Sequence, residues 1–431
     1  MLDLAAAFIT LTTLLTYINY RFVRLPPTIG VMATALVLSL ILQGLAAFGY
    51  VEPAMEMQEI VRSIDFSEVL MQWFLPALLF AGALHVNLGD LKNYRWPIAF
   101  LATGGVLVGT FLVAILAYYV FALFGWEIGL IYCLLFGALI SPTDPIAVMG
   151  ILGSSGAPKG LQMTIIGESL FNDGTAVVLY SMLLGVLLLG GAPTGGDIAM
   201  LFLKEAVGGV VVGLLLGFGV YYLLRTADQH QLAVMLTLAL VFGGTALSAK
   251  LHVSAPIVAV VAGLIIGNFG RTHAMSQDTR RYADKFWQLI DEILNTLLFA
   301  LIGLELLVLP VSWLHIVAAF LLGGVVLLSR FLTIGPGILL LRKLRGADNQ
   351  IAPGTIRILS WGGLRGGVSV ALALSLPMGP ERDLLLTLTY IVVLVSILVQ
   401  GLTIGPLVQR MYGRDSSGSV DEAPLSPQHS S

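Results

Sequence analysis

The chain has 431 residues, 57% hydrophobic and 11% charged, with a formal net charge of −3 and a mean hydropathy of +0.93. Soluble domains carry about 25% charged residues, so this composition excludes a soluble globular protein and indicates an integral membrane one. No basic cluster suggests nucleic acid, and the single cysteine, Cys133, excludes disulfides and a cysteine metal cluster.

Met1-Leu2-Asp3 lacks the basic start of a signal peptide, so the first apolar run is expected to be a retained span. Hydrophobic windows give thirteen spans, near 4–20, 28–49, 69–89, 97–123, 127–152, 161–189, 203–224, 231–249, 254–268, 289–309, 313–341, 355–377 and 383–409. Forty-eight glycines suit close packing of membrane helices. Residues 52–68 carry Glu52, Glu56, Glu59, Asp65 and Glu68 and predict an acidic interfacial helix. Residues 271–288, with Arg271, Arg280, Arg281 and Lys285, predict a basic one. The apolar, membrane-spanning region is therefore 1–412, and 413–431, rich in Ser, Pro, Asp and Glu, is expected as a short disordered tail.

Basic residues set the orientation. Fifteen follow odd-numbered spans, among them Arg21, Lys92, Arg225, Arg271 and Arg410, against Arg62, Lys204, Lys250 and Arg382 after even-numbered ones. The positive-inside rule puts the odd side in the cytoplasm, with the N-terminus outside and the C-terminus inside.

Three stretches break the apolar pattern. The fifth span contains Ser141-Pro142-Thr143-Asp144-Pro145. Each proline lacks an N–H, so the carbonyls of Ala138 and Ser141 lose their helical partners, and Ser141 and Asp144 are pushed towards extended geometry. Irregular backbone at membrane depth survives where it is buried in protein or lines a wet cavity. The freed carbonyls, the Thr143 hydroxyl and the Asp144 carboxylate could then coordinate a cation; the alternative is a proline kink with a capping aspartate.

The sixth span carries Gly167-Glu168-Ser169-Leu170-Phe171-Asn172-Asp173-Gly174-Thr175. An ionisable group at bilayer depth costs about 2.5–3.5 kcal/mol on insertion scales, tolerated where a partner, cavity or ion offsets it. Glu168 and Asn172 are i,i+4, as are Ser169 and Asp173, so all four are expected on one broad face. Four oxygen-bearing side chains without nitrogen or sulfur ligands suit Na⁺ and H⁺. The alternative is a buried hydrogen-bond cluster joining helices.

The twelfth span holds Trp361-Gly362-Gly363-Leu364-Arg365-Gly366-Gly367, where four glycines weaken the helix around one arginine. It lies seven spans after the proline break, an odd separation that implies opposite orientation, as in inverted-topology repeats with a site at their interface. Arg365 requires a buried anion, and Glu168 is the expected partner. Elsewhere, Gly153–Gly160 fails the GxxxxGK[ST] pattern, so ATP is not indicated, and neither a Ser-His-Asp set nor His-Glu-x-x-His appears to suggest an enzyme.

With these motifs the chain resembles the monovalent cation:proton antiporter-1 family, which includes bacterial sodium/proton antiporters and animal sodium/hydrogen exchangers. The likeness covers almost all of 1–411 and rests on Gly167–Thr175, Ser141–Pro145 and Trp361–Gly367, with Leu298–Glu305 and Gly263–Asn268 similar to the bacterial branch. It implies an all-α fold of thirteen transmembrane helices with a six-helix core, inverted repeats, two broken helices crossing at the midplane, and a homodimer. It implies that Asp173 is the cation- and proton-binding carboxylate beside Asn172, with Ser169, the Thr143 carbonyl and Asp144 nearby. Na⁺ would then sit at Asp173, Ser169 and Thr143. It pairs Glu168 with Arg365 and matches Arg330 to a second required arginine. In one departure, Ala81 stands where the family usually has an acid, which leaves the coordination shell and the choice of cation open.

The resulting expectation is a secondary antiporter, not an enzyme, in a bacterial inner membrane. It exchanges Na⁺ or Li⁺ for H⁺ one for one without a cofactor, because Asp173 binds either ion and Asn172 cannot ionise. A K⁺/H⁺ antiporter is the close alternative and a gated cation channel the more distant one.

Overall fold

The computed structural model describes residues 2–50, 66–145, 157–189, 195–345 and 354–412, with Glu52, Met55, Met57, Gln58, Val148, Met149 and Leu152 between them. The tail 413–431, residues 153–156 and most of the acidic linker 52–68 lie outside the described residues. Among the described residues every regular element is helical.

Among the described residues nine helices are long and apolar enough to cross a membrane. They are α2 (Pro27–Ala47), α4 (Arg95–Leu123), α6 (Lys159–Leu189), α7 (Gly195–Thr226), α8 (His230–Leu251), α9 (Ala255–His273), α10 (Gln277–Glu305), α11 (Trp313–Arg345) and α14 (Pro380–Tyr412). Shorter helices occupy the other expected spans: α1 (Leu2–Ile18), α3 (Leu70–His85), α5 (Leu130–Leu139), and the pair α12 (Thr355–Trp361) and α13 (Gly367–Leu374). The exposed surface is rich in Leu, Phe, Val and Ile, for example Phe111, Leu215 and Phe320. This is the pattern of helices whose outer faces meet lipid rather than water.

One expectation is corrected here. Residues 277–288 do not form a separate interfacial helix; they are the start of α10, which runs unbroken for 29 residues. Neither proline nor glycine interrupts the run before Gly303, so nothing terminates it between its polar and apolar halves. Its start is fixed by Ser276, whose hydroxyl accepts from the Thr279 N–H at 3.3 Å. Asp228 accepts from the Thr279 and Ser276 hydroxyls at 2.7 and 2.9 Å, and these two bonds hold its carboxyl below the usual carboxylate range.

The two expected breaks are both present, and they meet. α5 ends at Leu139, and after a last turn in which Ser141 N–H donates to Ala138 O (3.2 Å) the chain runs irregularly through Pro145. α12 ends at Trp361, and α13 starts only at Gly367, behind an extended Gly366. The Asp144 N–H donates to Leu364 O at 2.8 Å, so one break completes the backbone hydrogen bonding of the other. A π-helical turn in α14, Ser396–Gln400, supports the junction. Ser396 Oγ accepts from Arg365 N–H (3.1 Å) and donates to Gln400, whose Nε2 donates to Trp361 O (2.9 Å).

Candidate functional site

Helix α6 passes the crossed breaks and presents Glu168, Ser169, Asn172 and Asp173 to them. All four are buried, Asp173 to 8% exposure and Asn172 to 1%. The i,i+4 pairing expected from sequence holds, but the single shared face does not. Ser169 and Asp173 line one cavity, and Glu168 and Asn172 line another. The irregular segment 141–145 stands between the cavities, with Ser141 facing the second and Pro142 to Pro145 the first.

The first cavity is walled by Leu75, Leu78, Leu79 and Leu298 and carries Thr143, Asp144, Ser169, Asp173 and Asp291. Thr143 organises its floor. Its hydroxyl accepts from Asn172 Nδ2 at 2.6 Å and is 3.0 Å from Ser169 Oγ. Asp173 Oδ1 has no hydrogen-bond partner among the described residues. A buried carboxylate oxygen without a donor is costly unless a proton or cation is taken up there. Asp144 lines the same cavity at the start of α13. A Cβ on Gly366 would lie 2.8 Å from Asp144 Cβ and 3.1 Å from its Oδ2, so glycine is what lets the carboxylate approach that helix N-terminus.

The second cavity contains Glu168, Arg330 and Arg365. The expected Glu168–Arg365 ion pair is corrected: Glu168 Oε1 pairs with Arg330 Nη2 at 2.8 Å. Arg365 instead donates from Nη1 to the carbonyls of Ser141 (2.6 Å) and Pro142 (3.3 Å). The physical reason lies in the proline break. Pro145 removes the N–H that would have served Ser141 O, and the guanidinium takes its place at the negative end of α5. Arg330 also donates from Nε to Leu359 O at 3.0 Å. A Cβ on Gly363 would fall 2.0 Å from that Nε, so glycine there opens the path of the Arg330 side chain. All of the sequence-derived residues thus meet within two adjoining cavities.

Two further features were not anticipated. Asp291, on α10, lines the Asp173 cavity beside Asn295, whose Nδ2 donates to Asp291 O at 2.8 Å. In the sequence it stands at the edge of the apolar run near 289, where an acid reads as a helix-end residue, whereas the helix is continuous from Gln277. Ala81 is buried and, unlike its neighbours Leu78, Leu79 and Gly82, does not line the cavity. Its carbonyl accepts from the His85 ring at 2.8 Å. Among the described residues no three His, Cys, Asp or Glu side chains converge to hold a metal ion.

The arrangement offers hydroxyl and carboxylate oxygens, one of them unpartnered, inside a largely apolar cavity at crossed helix breaks. The family model for the transmembrane sodium/hydrogen exchanger matches residues 9–410. The chain is 73% identical over 412 residues to the Na⁺/H⁺ antiporter NhaP of Pseudomonas aeruginosa, covering 96% of this chain and 97% of that one. It is 36% identical over 398 residues to the Na⁺/H⁺ antiporter NhaH of Halobacillus dabanensis, covering 91% and 93%. Its fold matches that of the sodium proton antiporter MjNhaP1 from Methanocaldococcus jannaschii with a TM-score of 0.72 at 20% identity, over 95% of this chain and 97% of that one. With the broken helices, the buried acidic helix and these matches in agreement, the chain belongs to the sodium/hydrogen exchanger family of membrane antiporters.

Proposed function

We propose that the chain exchanges Na⁺ or Li⁺ for H⁺ across the membrane, with Asp173 holding the two ions in turn. The observation that carries this reading is the Asp173 carboxylate, buried in a cavity with Oδ1 unpartnered. Ser169 and Thr143 supply neutral oxygen ligands beside it, and Asn172 fixes the Thr143 hydroxyl from behind. A bound cation or proton neutralises Asp173, and either loaded form can be carried past the apolar walls. The empty, charged form is resisted by the cost of moving an unpaired carboxylate through them. That difference couples the two fluxes.

Only one group switches in this scheme. Glu168 is held by Arg330, Asp144 lies at the α13 N-terminus, and Asn172 does not ionise. One Na⁺ therefore exchanges for one H⁺ without net charge movement. The relatives named as Na⁺/H⁺ antiporters support the choice of ions. We further propose a homodimer in the bacterial inner membrane, as the family resemblance implies, with the C-terminus in the cytoplasm on the strength of the lysine and arginine asymmetry.

The test is a cation series in proteoliposomes with a lumenal pH dye. Na⁺ and Li⁺ gradients are expected to drive saturable proton flux, with K⁺ much less effective. Flux driven as well by K⁺, or flux that does not saturate, would overturn the assignment.

A further inference from the structure

Asp291 belongs to no ion pair among the described residues, yet it lines the Asp173 cavity from the wall built by α10. Asp291, Asn295 and Leu298 follow at i, i+4 and i+7 and share the cavity-facing stripe, whereas Glu292 is exposed. The residue lies fourteen positions into an unbroken helix, about 21 Å from its start at 1.5 Å per residue. It therefore lies where the polar half of α10 passes into the apolar one. Asp291 is half-buried where Asp173 is 8% exposed, which makes it the outer of the two acids.

We propose that Asp291 is a capture position for the incoming monovalent cation, holding it on the cavity wall before it moves to Asp173. The inference rests on the reading of Asp173 as the exchange site. A cation that leaves bulk water for a cavity walled by leucines loses hydration, and a carboxylate on the wall offsets that loss. A cleft of one charge sign with low-dielectric walls also focuses the field and raises the local concentration of the counter-ion. Asp144, Asp291 and Asp173 line one cavity, so whichever of them are ionised act on a cation in the same space. They do not converge on one point as a metal site would, which fits successive positions along a path better than a single coordination shell. The unpartnered Oδ1 of Asp173 is where that path ends.

A merely structural aspartate would stabilise α10 through Asn295 and would be indifferent to the sign of a substituent at the same place. The experiment exploits that difference with the full chain in proteoliposomes. Its one native cysteine, Cys133, is fully buried, so Asp291→Cys offers a single accessible thiol for charged methanethiosulfonate reagents. Asp291→Asn is expected to raise the Na⁺ KM roughly 3- to 10-fold while leaving the maximal rate within about two-fold. Asp291→Glu is expected to restore the KM. Labelling Asp291→Cys with the sulfonate reagent should lower its KM towards wild type, and the ammonium reagent of similar size should raise it further. An unchanged KM in Asp291→Asn, or equal KM values with the two reagents, overturns the capture role. Asp173→Asn, run alongside, separates the two failures: if it retains exchange, the site reading itself falls, whereas an inactive Asp173→Asn beside an unaltered Asp291→Asn rejects capture alone.

Discussion

Arg330 Nη2 lies 2.8 Å from Glu168 Oε1, and the same guanidinium donates from Nε to Leu359 O, the carbonyl two residues before the helix break that leads to Arg365. One side chain thus ties helix α6 to the broken α12–α13 pair. Arg365 ties that pair to the proline break of α5.

This division of labour predicts which arginine Glu168 depends on. Breaking a buried ion pair from one side costs about 3–5 kcal/mol, because the other charge is left uncompensated. Glu168→Gln and Arg330→Gln should each lower the melting temperature of the purified protein markedly. A double-mutant cycle should give a coupling of about 1–3 kcal/mol for Glu168 with Arg330 and a smaller one for Glu168 with Arg365. Coupling concentrated on Arg365 would contradict the geometry.

Gly363 offers a test that leaves every charge in place. Its absent Cβ is the space that Arg330 crosses, so Gly363→Ala must displace the guanidinium from Leu359 O or from Glu168. Overpacking of this kind costs about 1–3 kcal/mol. Gly323→Ala, where a Cβ meets nothing within 4 Å, is the matched control and should be close to neutral. Thermal melting of the two variants in detergent compares them directly.

The contrast between these residues explains what could be read from the sequence. Pro142 and Pro145 announce a break because they delete N–H groups, and Asp173 announces a site because a carboxylate in an apolar run needs a reason. Both are local signals. The partner of Glu168 is not local: two arginines were available, and the choice turned on Arg365 being taken up by carbonyls that the proline break had released. The division of the α6 face between two cavities likewise depends on where the segment 141–145 crosses it. Asp291 is obscured in the sequence because hydropathy marks only the apolar half of α10, whereas the helix begins at Gln277 and carries its polar half continuously into the apolar one.

If Asp173 alone exchanges ions, transport is one for one. Na⁺-driven proton flux in proteoliposomes should then keep the same rate and end-point at zero and at imposed membrane potential set with K⁺ and valinomycin. A leak-corrected end-point that shifts with potential would identify a second proton carrier, and Asp144, which lines the same cavity as Asp173, would be the first residue to test by substitution with asparagine.

The central claim is that a proton and a cation compete for the same carboxylate, and proton release from the purified protein on cation addition measures it most directly. In weakly buffered detergent solution, over a series of starting pH values, Na⁺ added to the wild-type protein should release protons, approaching one per chain where Asp173 starts protonated. Asp173→Asn, folded by its melting curve, should release none above the choline control. Undiminished release from Asp173→Asn would contradict the account.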